Sequence, residues 1–367
     1  EVLSADHLRA LSGIEGVACT FVGLSCGLPL GKWRTASHRP DRIGFGLIIM
    51  AITTLIVGGF SFYTLRVVPG FEGADYTTLL VSALTLGVAA AVSSPSVMQE
   101  AVASQLADGP VSRLMPTALT TSRLVAVCVF GVAIAFLPGA PMGFAWTVFA
   151  SIISGMVVGI AFHLMVGNQN DPHRLMVATL GTLALGTGLS ESLSLAPIMV
   201  GLMSGLSIGT LSPVSESLSH TIRRLERPAI VALFLFGGAH FSVQDPVLFV
   251  VAVGYVAVRF ASLRIAAILA RPVSSELEYA VPGLWRAYLY QGALTAAIAL
   301  NFEALMPGAM GLLVEGTLLV AAIVNPLISW NAARDLLRDV GETGRQRPSL
   351  PTSESLNTEV SLREGSA

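Results

Sequence analysis

Charged residues are what this chain has least of. Only 12% of its 367 residues are Asp, Glu, Lys or Arg, whereas soluble domains carry roughly 25%. Apolar residues make up 53% of the sequence. A chain this poor in charge cannot cover a water-exposed surface, so we predict an all-α polytopic membrane protein that contacts membrane lipid. Its net charge of −2 gives no reason to expect a nucleic-acid partner.

Cysteines and clustered metal ligands are also scarce. The three cysteines, Cys19, Cys26 and Cys128, all lie inside apolar runs, which argues against a disulfide framework or a zinc site. The sequence carries no phosphate-binding P-loop, no dinucleotide-binding loop and no nucleophile elbow. We therefore expect no cofactor and no metal centre, and we expect a transporter or transporter-like protein rather than an enzyme.

What the sequence does contain is a series of long apolar windows. A helix needs about 20 apolar residues to span a membrane, and about eleven windows approach that length. The shortest two, 174–190 and 194–211, are neighbours. The windows cover residues 8–30, 43–66, 77–98, 114–137, 143–166, 174–190, 194–211, 228–244, 246–270, 282–305 and 308–332.

The loops between these windows alternate in charge. Basic residues accumulate on the cytoplasmic side of a membrane protein, and here they accumulate on every second loop. The opposite loops have only Arg9 and Arg66 near their helix ends. We therefore predict a multi-pass protein of the inner (plasma) membrane, with Glu1 outside and the C-terminus in the cytoplasm. The cytoplasmic set is Lys32, Arg34, Arg39, Arg42, Arg113, Arg174, Arg223, Arg224, Arg227, Arg271, Arg286, Arg334, Arg338, Arg345 and Arg347.

The two ends of the sequence differ from the rest. Residues 1–340 form the predicted transmembrane domain. Residues 341–367 are rich in Ser, Thr, Glu, Pro and Arg and lack an apolar face, so we predict a disordered cytoplasmic tail. The chain begins at Glu1 without a methionine, and we expect it to be part of a longer protein.

Polar residues interrupt the third window and occupy the middle of the fourth. Ser93, Ser94 and Pro95 break the apolar run 77–98, and Thr121, Ser122 and Arg123 lie within the run 114–137. Irregular backbone and ionisable groups are tolerated at membrane depth only where protein or a water-filled cavity satisfies them. A broken helix followed by a charged one therefore predicts an ion or solute pathway.

The second half of the chain contains a matching pair in reverse order. Arg259 lies in window 246–270, and Gln291 and Gly292 interrupt window 282–305. Arg123 and Arg259 both lie roughly 14–18 Å deep, where an unpaired arginine costs at least about 2.5–3.5 kcal/mol. Each is either a tether for broken-helix carbonyls or part of a transport site. Corresponding interruptions in two halves predict an inverted-repeat transporter whose site lies where two broken helices cross.

The sequence resembles the cation/proton antiporter superfamily, in particular its bacterial sodium/proton and potassium-efflux branch. The order and spacing of several loose motifs carry the likeness, including an Arg at position 259 where the family has Lys or Arg. These motifs lie in segments 11–25, 89–97, 195–202, 233–238, 290–292 and 325–326.

The resemblance implies several properties of the whole protein. Family members exchange a monovalent cation for protons, and they have about thirteen spans, so this chain would lack the first two. They form homodimers in which a core domain moves like an elevator beside a dimer domain. The resemblance implies an ion pathway through Ser93, Ser94 and Pro95, through Thr121, Ser122 and Arg123, and through Arg259, Gln291 and Gly292.

One departure from the family leaves three functions open. The family places one or two ion-binding aspartates where this chain has Ser122 and Arg123, and an arginine cannot release its proton. The first possibility is an antiporter that uses another carboxylate, with Glu15 and Glu100 as candidates. Alternatively it is a transport-deficient scaffold, partner subunit of a larger complex or sensor. A third possibility is an anion site formed by Arg123 and Arg259.

Overall fold

The computed structural model describes residues 5–29, 40–71, 73–137, 143–167, 171–212, 215–240, 246–273 and 283–344. These residues form helices and short connections, without β-strands, which confirms the all-α prediction. Within these ranges, twelve α-helices are accompanied by the short 3-10 helices Arg271–Val273 and Leu284–Tyr288. The α-helices are α1 Ala5–Gly27, α2 Pro40–Val67, α3 Tyr76–Ala91, α4 Pro95–Ser104, α5 Pro110–Ile134, α6 Phe144–Val166, α7 Pro172–Ser192, α8 Pro197–Leu211, α9 Ser215–His240, α10 Pro246–Ala270, α11 Ala293–Leu305 and α12 Ala309–Asp339.

Every predicted window contains helix. Six helical stretches among the described residues are long and apolar enough to cross a membrane, with α3 and α4 together forming one of them. Four shorter apolar helices lie within α1, α8, α9 and α11. Only α7 meets neither criterion, and it occupies one of the two shortest windows. The structure thus has the architecture of a polytopic membrane protein.

The helices pack as two groups. In the first, which we call the α8 group, α1 and α6 pack along α8, and α7 contacts all three. In the second, the crossing group, α2, α3, α4, α5, α10, α11 and α12 pack mainly on one another. Helix α9 contacts members of both groups, and α1 touches α5 and α11 across the boundary between them.

Glycines bring the helices of the α8 group into backbone contact. A Cβ atom at Gly23 of α1 would lie 2.1 Å from the Ile198 carbonyl oxygen, and one at Gly201 of α8 would lie 2.2 Å from the Thr20 carbonyl oxygen. No other residue fits at these positions without moving a backbone, so the helices interlock as small-residue membrane pairs do. The spacing repeats in three helices, with Gly23 and Gly27 in α1, Gly155 and Gly159 in α6, and Gly201 and Gly205 in α8.

Two broken helices meet inside the crossing group, as predicted. Helix α3 ends at Ala91 and α4 begins at Pro95, so residues 92–94 are extended. The 3-10 helix Leu284–Tyr288 and α11 are likewise separated by residues 289–292. The Ser94 amide donates a hydrogen bond of 3.1 Å to the Tyr290 carbonyl. The two interruptions therefore bond directly to each other.

The end of α12 turns back onto the start of α5. Both carboxylate oxygens of Glu342 accept hydrogen bonds from the first turn of α5, from the Val111 amide at 2.7 Å and the Ser112 amide at 2.9 Å. The Ser112 hydroxyl donates a third bond to the same carboxylate. Residues 341–344 of the predicted tail are thus folded, and residues 345–367 lie outside the described residues.

Candidate ion pathway at the helix crossing

Arg259 joins the two broken helices. Its side chain is fully buried and donates to the Ala90 carbonyl at 2.8 Å and the Val92 carbonyl at 3.4 Å. It also donates to the Tyr288 carbonyl at 2.8 Å and the Leu289 carbonyl at 3.2 Å. Helix C-termini leave carbonyls without partners and carry partial negative charge. One guanidinium therefore satisfies both breaks, which is the geometry of a tether.

The serines of the first break bond mainly to the protein itself. The Ser93 hydroxyl donates to the Tyr288 carbonyl of the second break, and Ser93 is fully buried. The Ser94 and Ser96 hydroxyls lie 2.9 Å apart, and Ser94 is only partly buried. Pro95 is the first residue of α4, where a missing amide proton costs nothing in hydrogen bonding. Ser94 and Ser96, unlike Ser93, are therefore partly accessible to a ligand.

Gln291 links the second break to α3 and to α12. Its amide nitrogen donates to the Ala89 carbonyl at 2.7 Å and lies 3.4 Å from the Tyr255 hydroxyl. Asn325 of α12 donates its amide to the Gln291 carbonyl oxygen. A Cβ atom at Gly292 would lie 2.9 Å from the Tyr290 ring, so glycine lets that ring fold against the break.

Arg123 has a much poorer environment than Arg259. It is half-buried, and one of its terminal nitrogens donates to the Ser25 hydroxyl of α1 at 3.2 Å. It also lies beside the Cys26 thiol. Its Nε atom is buried and has no hydrogen-bond partner among the described residues. Arg123 therefore faces the boundary between the two helix groups, while Arg259 faces the interior of one group.

No carboxylate among the described residues lies within ion-pair distance of Arg123. Glu226 of α9 is half-buried, and Glu226, Glu100 and Arg123 all lie in the surroundings of Tyr290. The first turns of α4 and α11, which carry partial positive charge, also begin at the crossing. The described part of this region thus holds positive charge from Arg123 and the helix N-termini together with carboxylates beyond ion-pair distance.

The polar neighbours of Arg123 on α5 are occupied within the protein. The Thr121 hydroxyl donates to the Thr117 carbonyl at 2.9 Å. The Ser122 hydroxyl donates to the Ala118 carbonyl at 2.7 Å, with the Gly46 carbonyl of α2 at 3.3 Å. Both side chains are buried. Each hydroxyl donates its single hydrogen to a backbone carbonyl, so neither can donate to a ligand bound at Arg123.

The two candidate carboxylates differ in burial. Glu15 of α1 is 8% exposed, whereas Glu100 of α4 is exposed. Glu15 lies one turn from Cys19, whose thiol senses its charge and also lies beside Asn301 of α11. The Cys19 thiol donates to the Ala297 carbonyl of α11 at 3.7 Å. Glu15 therefore lies one turn from a contact between the α8 group and the crossing group.

Sequence reasoning missed two buried polar residues of the crossing group. Glu315 of α12 is 1% exposed, and Asn301 is 2% exposed with a side-chain oxygen that lacks a hydrogen-bond partner among the described residues. Glu315 lies inside window 308–332, and the depth rule applied to the arginines would have identified it. The described residues contain no group of three or more His, Cys, Asp or Glu side chains able to hold a metal ion.

Comparison with solved structures places this geometry in a known fold. The chain is similar to the structure of the sodium proton antiporter MjNhaP1 from Methanocaldococcus jannaschii, with a TM-score of 0.60 and 15% identity. The match covers 92% of this chain and 88% of that one. No family model and no curated protein matches the sequence. The chain therefore shares the fold of this antiporter, in agreement with the predicted antiporter-like fold class.

Proposed function

We propose that this chain is a secondary transporter of the cation/proton antiporter type, which exchanges Na⁺ or K⁺ for protons. The observation that carries the proposal is the pair of broken helices, joined by Arg259 and adjoining the boundary between two helix groups. Broken helices leave backbone charge at the crossing, which suits ion binding. The shared fold with a sodium proton antiporter supports the same function.

The proposal requires an exchangeable carboxylate outside α5, because α5 contains no Asp or Glu. Glu15 suits this role better than Glu100, because it is buried at the group boundary. In an elevator mechanism the crossing group would move beside the α8 group, exposing that boundary to each side in turn. The α8 group would then form the contact of a homodimer.

Flux measurements on Glu15→Gln test the proposal. Proteoliposomes with a trapped pH dye should show a pH change when Na⁺ or K⁺ is added to the wild type. Glu15→Gln should reduce that signal at least about tenfold, because an amide cannot exchange a proton. Glu191→Gln is the matched control, because Glu191 is an exposed carboxylate of α7 that approaches Gly16.

Two results would count against this assignment. A wild-type protein without flux for either cation would remove the transport function itself. Wild-type flux that survives in Glu15→Gln would keep the function and reject the residue, and Glu100→Gln would then be the next variant.

Arg123 favours a second candidate function, that of a transport-deficient partner subunit or sensor. Its permanent charge stands where the family resemblance places the ion-binding aspartate, and its bond to Ser25 links the two helix groups. If this function is correct, the wild type gives no flux and Arg123→Asp creates cation-dependent proton flux in the same proteoliposomes. A stable larger complex in mild detergent would be expected as well.

The predicted anion site shared by Arg123 and Arg259 has less support. Four carbonyl oxygens already accept hydrogen bonds from Arg259. An arginine has only five N–H donors, so this side chain has little capacity left for an anion.

A further inference from the structure

The surface of the crossing group carries an apolar groove with a single charge. The groove has a volume of about 430 Å³ and lies between α10, the 3-10 helix Leu284–Tyr288 and α12. Phe260, Leu289 and Ile328 contribute to its walls, and Arg264 is the only charged residue among the described residues that line it. Ile328 is 48% exposed, so the groove is open towards the surrounding membrane.

The guanidinium of Arg264 packs over an aromatic ring. Its guanidinium carbon lies 4.7 Å from the centroid of the Trp285 ring. Phe260 in turn meets Trp285 edge to face, with 6.4 Å between centroids. Within the described residues, Arg264 makes no hydrogen bond and no ion pair. Stacking leaves the N–H groups at the edge of the guanidinium available to an acceptor.

The depth of Arg264 identifies the kind of acceptor that reaches it. Arg264 lies six residues before the end of α10 at Ala270, which corresponds to about 9 Å along the helix axis. The loop charges predict this end of α10 to be cytoplasmic. An arginine just below the membrane surface extends towards the headgroups, and a phosphate accepts two of its N–H bonds in one plane.

We propose that this groove binds one anionic phospholipid of the cytoplasmic leaflet. The lipid phosphate accepts hydrogen bonds from Arg264, and an acyl chain lies along Phe260, Leu289 and Ile328. Anionic lipid fits better than zwitterionic lipid because no carboxylate among the described residues neutralises Arg264. Leu289 also supplies a carbonyl to Arg259, so the bound chain would lie directly against the second helix break.

Arg334 provides a matched control for the charge. It lies near the C-terminal end of α12 with its guanidinium carbon 5.9 Å from the centroid of the Trp330 ring, and it does not line the groove. Both arginines are thus paired with a tryptophan, with Arg264 exposed and Arg334 partly buried. Only Arg264 adjoins a space that can hold an acyl chain.

Native mass spectrometry of the full chain in mild detergent tests the proposal. Phosphatidylglycerol and phosphatidylcholine with identical acyl chains are titrated separately into delipidated protein. The wild type should bind the first phosphatidylglycerol at least about tenfold more tightly than phosphatidylcholine. Arg264→Gln should remove this preference, and Arg334→Gln should keep it.

A second variant tests the groove apart from the charge. Ala261 is an exposed residue that lines the groove, so Ala261→Phe fills it and leaves Arg264 in place. This variant should also lose the tight phosphatidylglycerol. Equal affinity of the wild type for both lipids would overturn the proposal. Tight phosphatidylglycerol binding that persists in Arg264→Gln or in Ala261→Phe would also overturn it. The proposal would fail as well if Arg334→Gln weakened this binding as much as Arg264→Gln does.

Discussion

Arg123 and Arg259 are the same residue type at similar predicted depth, yet they differ in burial and in hydrogen bonding. Arg259 is fully buried and donates to four carbonyls that belong to both broken helices. Arg123 is half-buried, bonds to one hydroxyl and keeps a buried nitrogen without a partner among the described residues. Depth alone therefore does not determine what a membrane arginine does.

The difference follows from which surfaces each side chain joins. Arg259 lies between segments of one helix group, where its bonds remain the same if that group moves as a unit. Arg123 reaches from the crossing group to Ser25 of the α8 group. A weak bond across such a boundary can break and reform at small cost. We infer that Arg259 contributes mainly to stability and Arg123 mainly to function.

Replacing Arg259 should produce the largest effect. Arg259→Met leaves four buried carbonyls without their donor, and we expect the free energy of unfolding to fall by about 4 kcal/mol or more. Thermal denaturation in detergent would measure the loss, and Arg259→Lys should restore only part of it. A melting temperature close to that of the wild type would refute the tether role.

Removing the Glu342 carboxylate should give an intermediate effect. It accepts bonds from two amides and a hydroxyl at the start of α5, so Glu342→Ala should reduce stability by about 2–3 kcal/mol. Glu342→Gln keeps part of this bonding and should lose about half as much. If α5 is fixed by this contact rather than by Arg123, Glu342→Ala must destabilise the protein more than Arg123→Gln does.

Replacing Arg123 should give the smallest change in stability. Arg123→Gln removes one partly exposed hydrogen bond and also removes a poorly satisfied charge, so we expect a shift within about 1 kcal/mol. The same denaturation assay compares it directly with Arg259→Met. A loss of stability as large as that of Arg259→Met would show that the two arginines contribute equally to the stability of the fold.

Much of the fold could be predicted because a membrane restricts what a sequence can do. Long apolar windows must be helices, and the interruptions at 93–96 and 290–292 stood out against them. Depth could be counted from the helix ends, which identified Arg123 and Arg259 as buried charges. The resemblance to antiporters was equally readable from the order of short motifs.

The partners of those residues could not be predicted, because they come from distant parts of the chain. Arg259 bonds to Ala90, which is 169 residues away in sequence, and Glu342 bonds to Val111, which is 231 residues away. Composition alone also gave a wrong prediction for the start of the tail, residues 341–344. Glu342 belongs to a polar segment without an apolar face, yet it is 3% exposed because α5 offers it free amides.

The interlocked glycines of the α8 group fix the position of Ser25, which contacts Arg123 of the crossing group. Helices α1 and α8 touch through their backbones and cannot slide past each other without separating. Ser25 lies between Gly23 and Gly27 and is carried by this rigid pair. If the crossing group moves beside the α8 group, as proposed above, the 3.2 Å separation between the Ser25 hydroxyl and Arg123 should change with that movement.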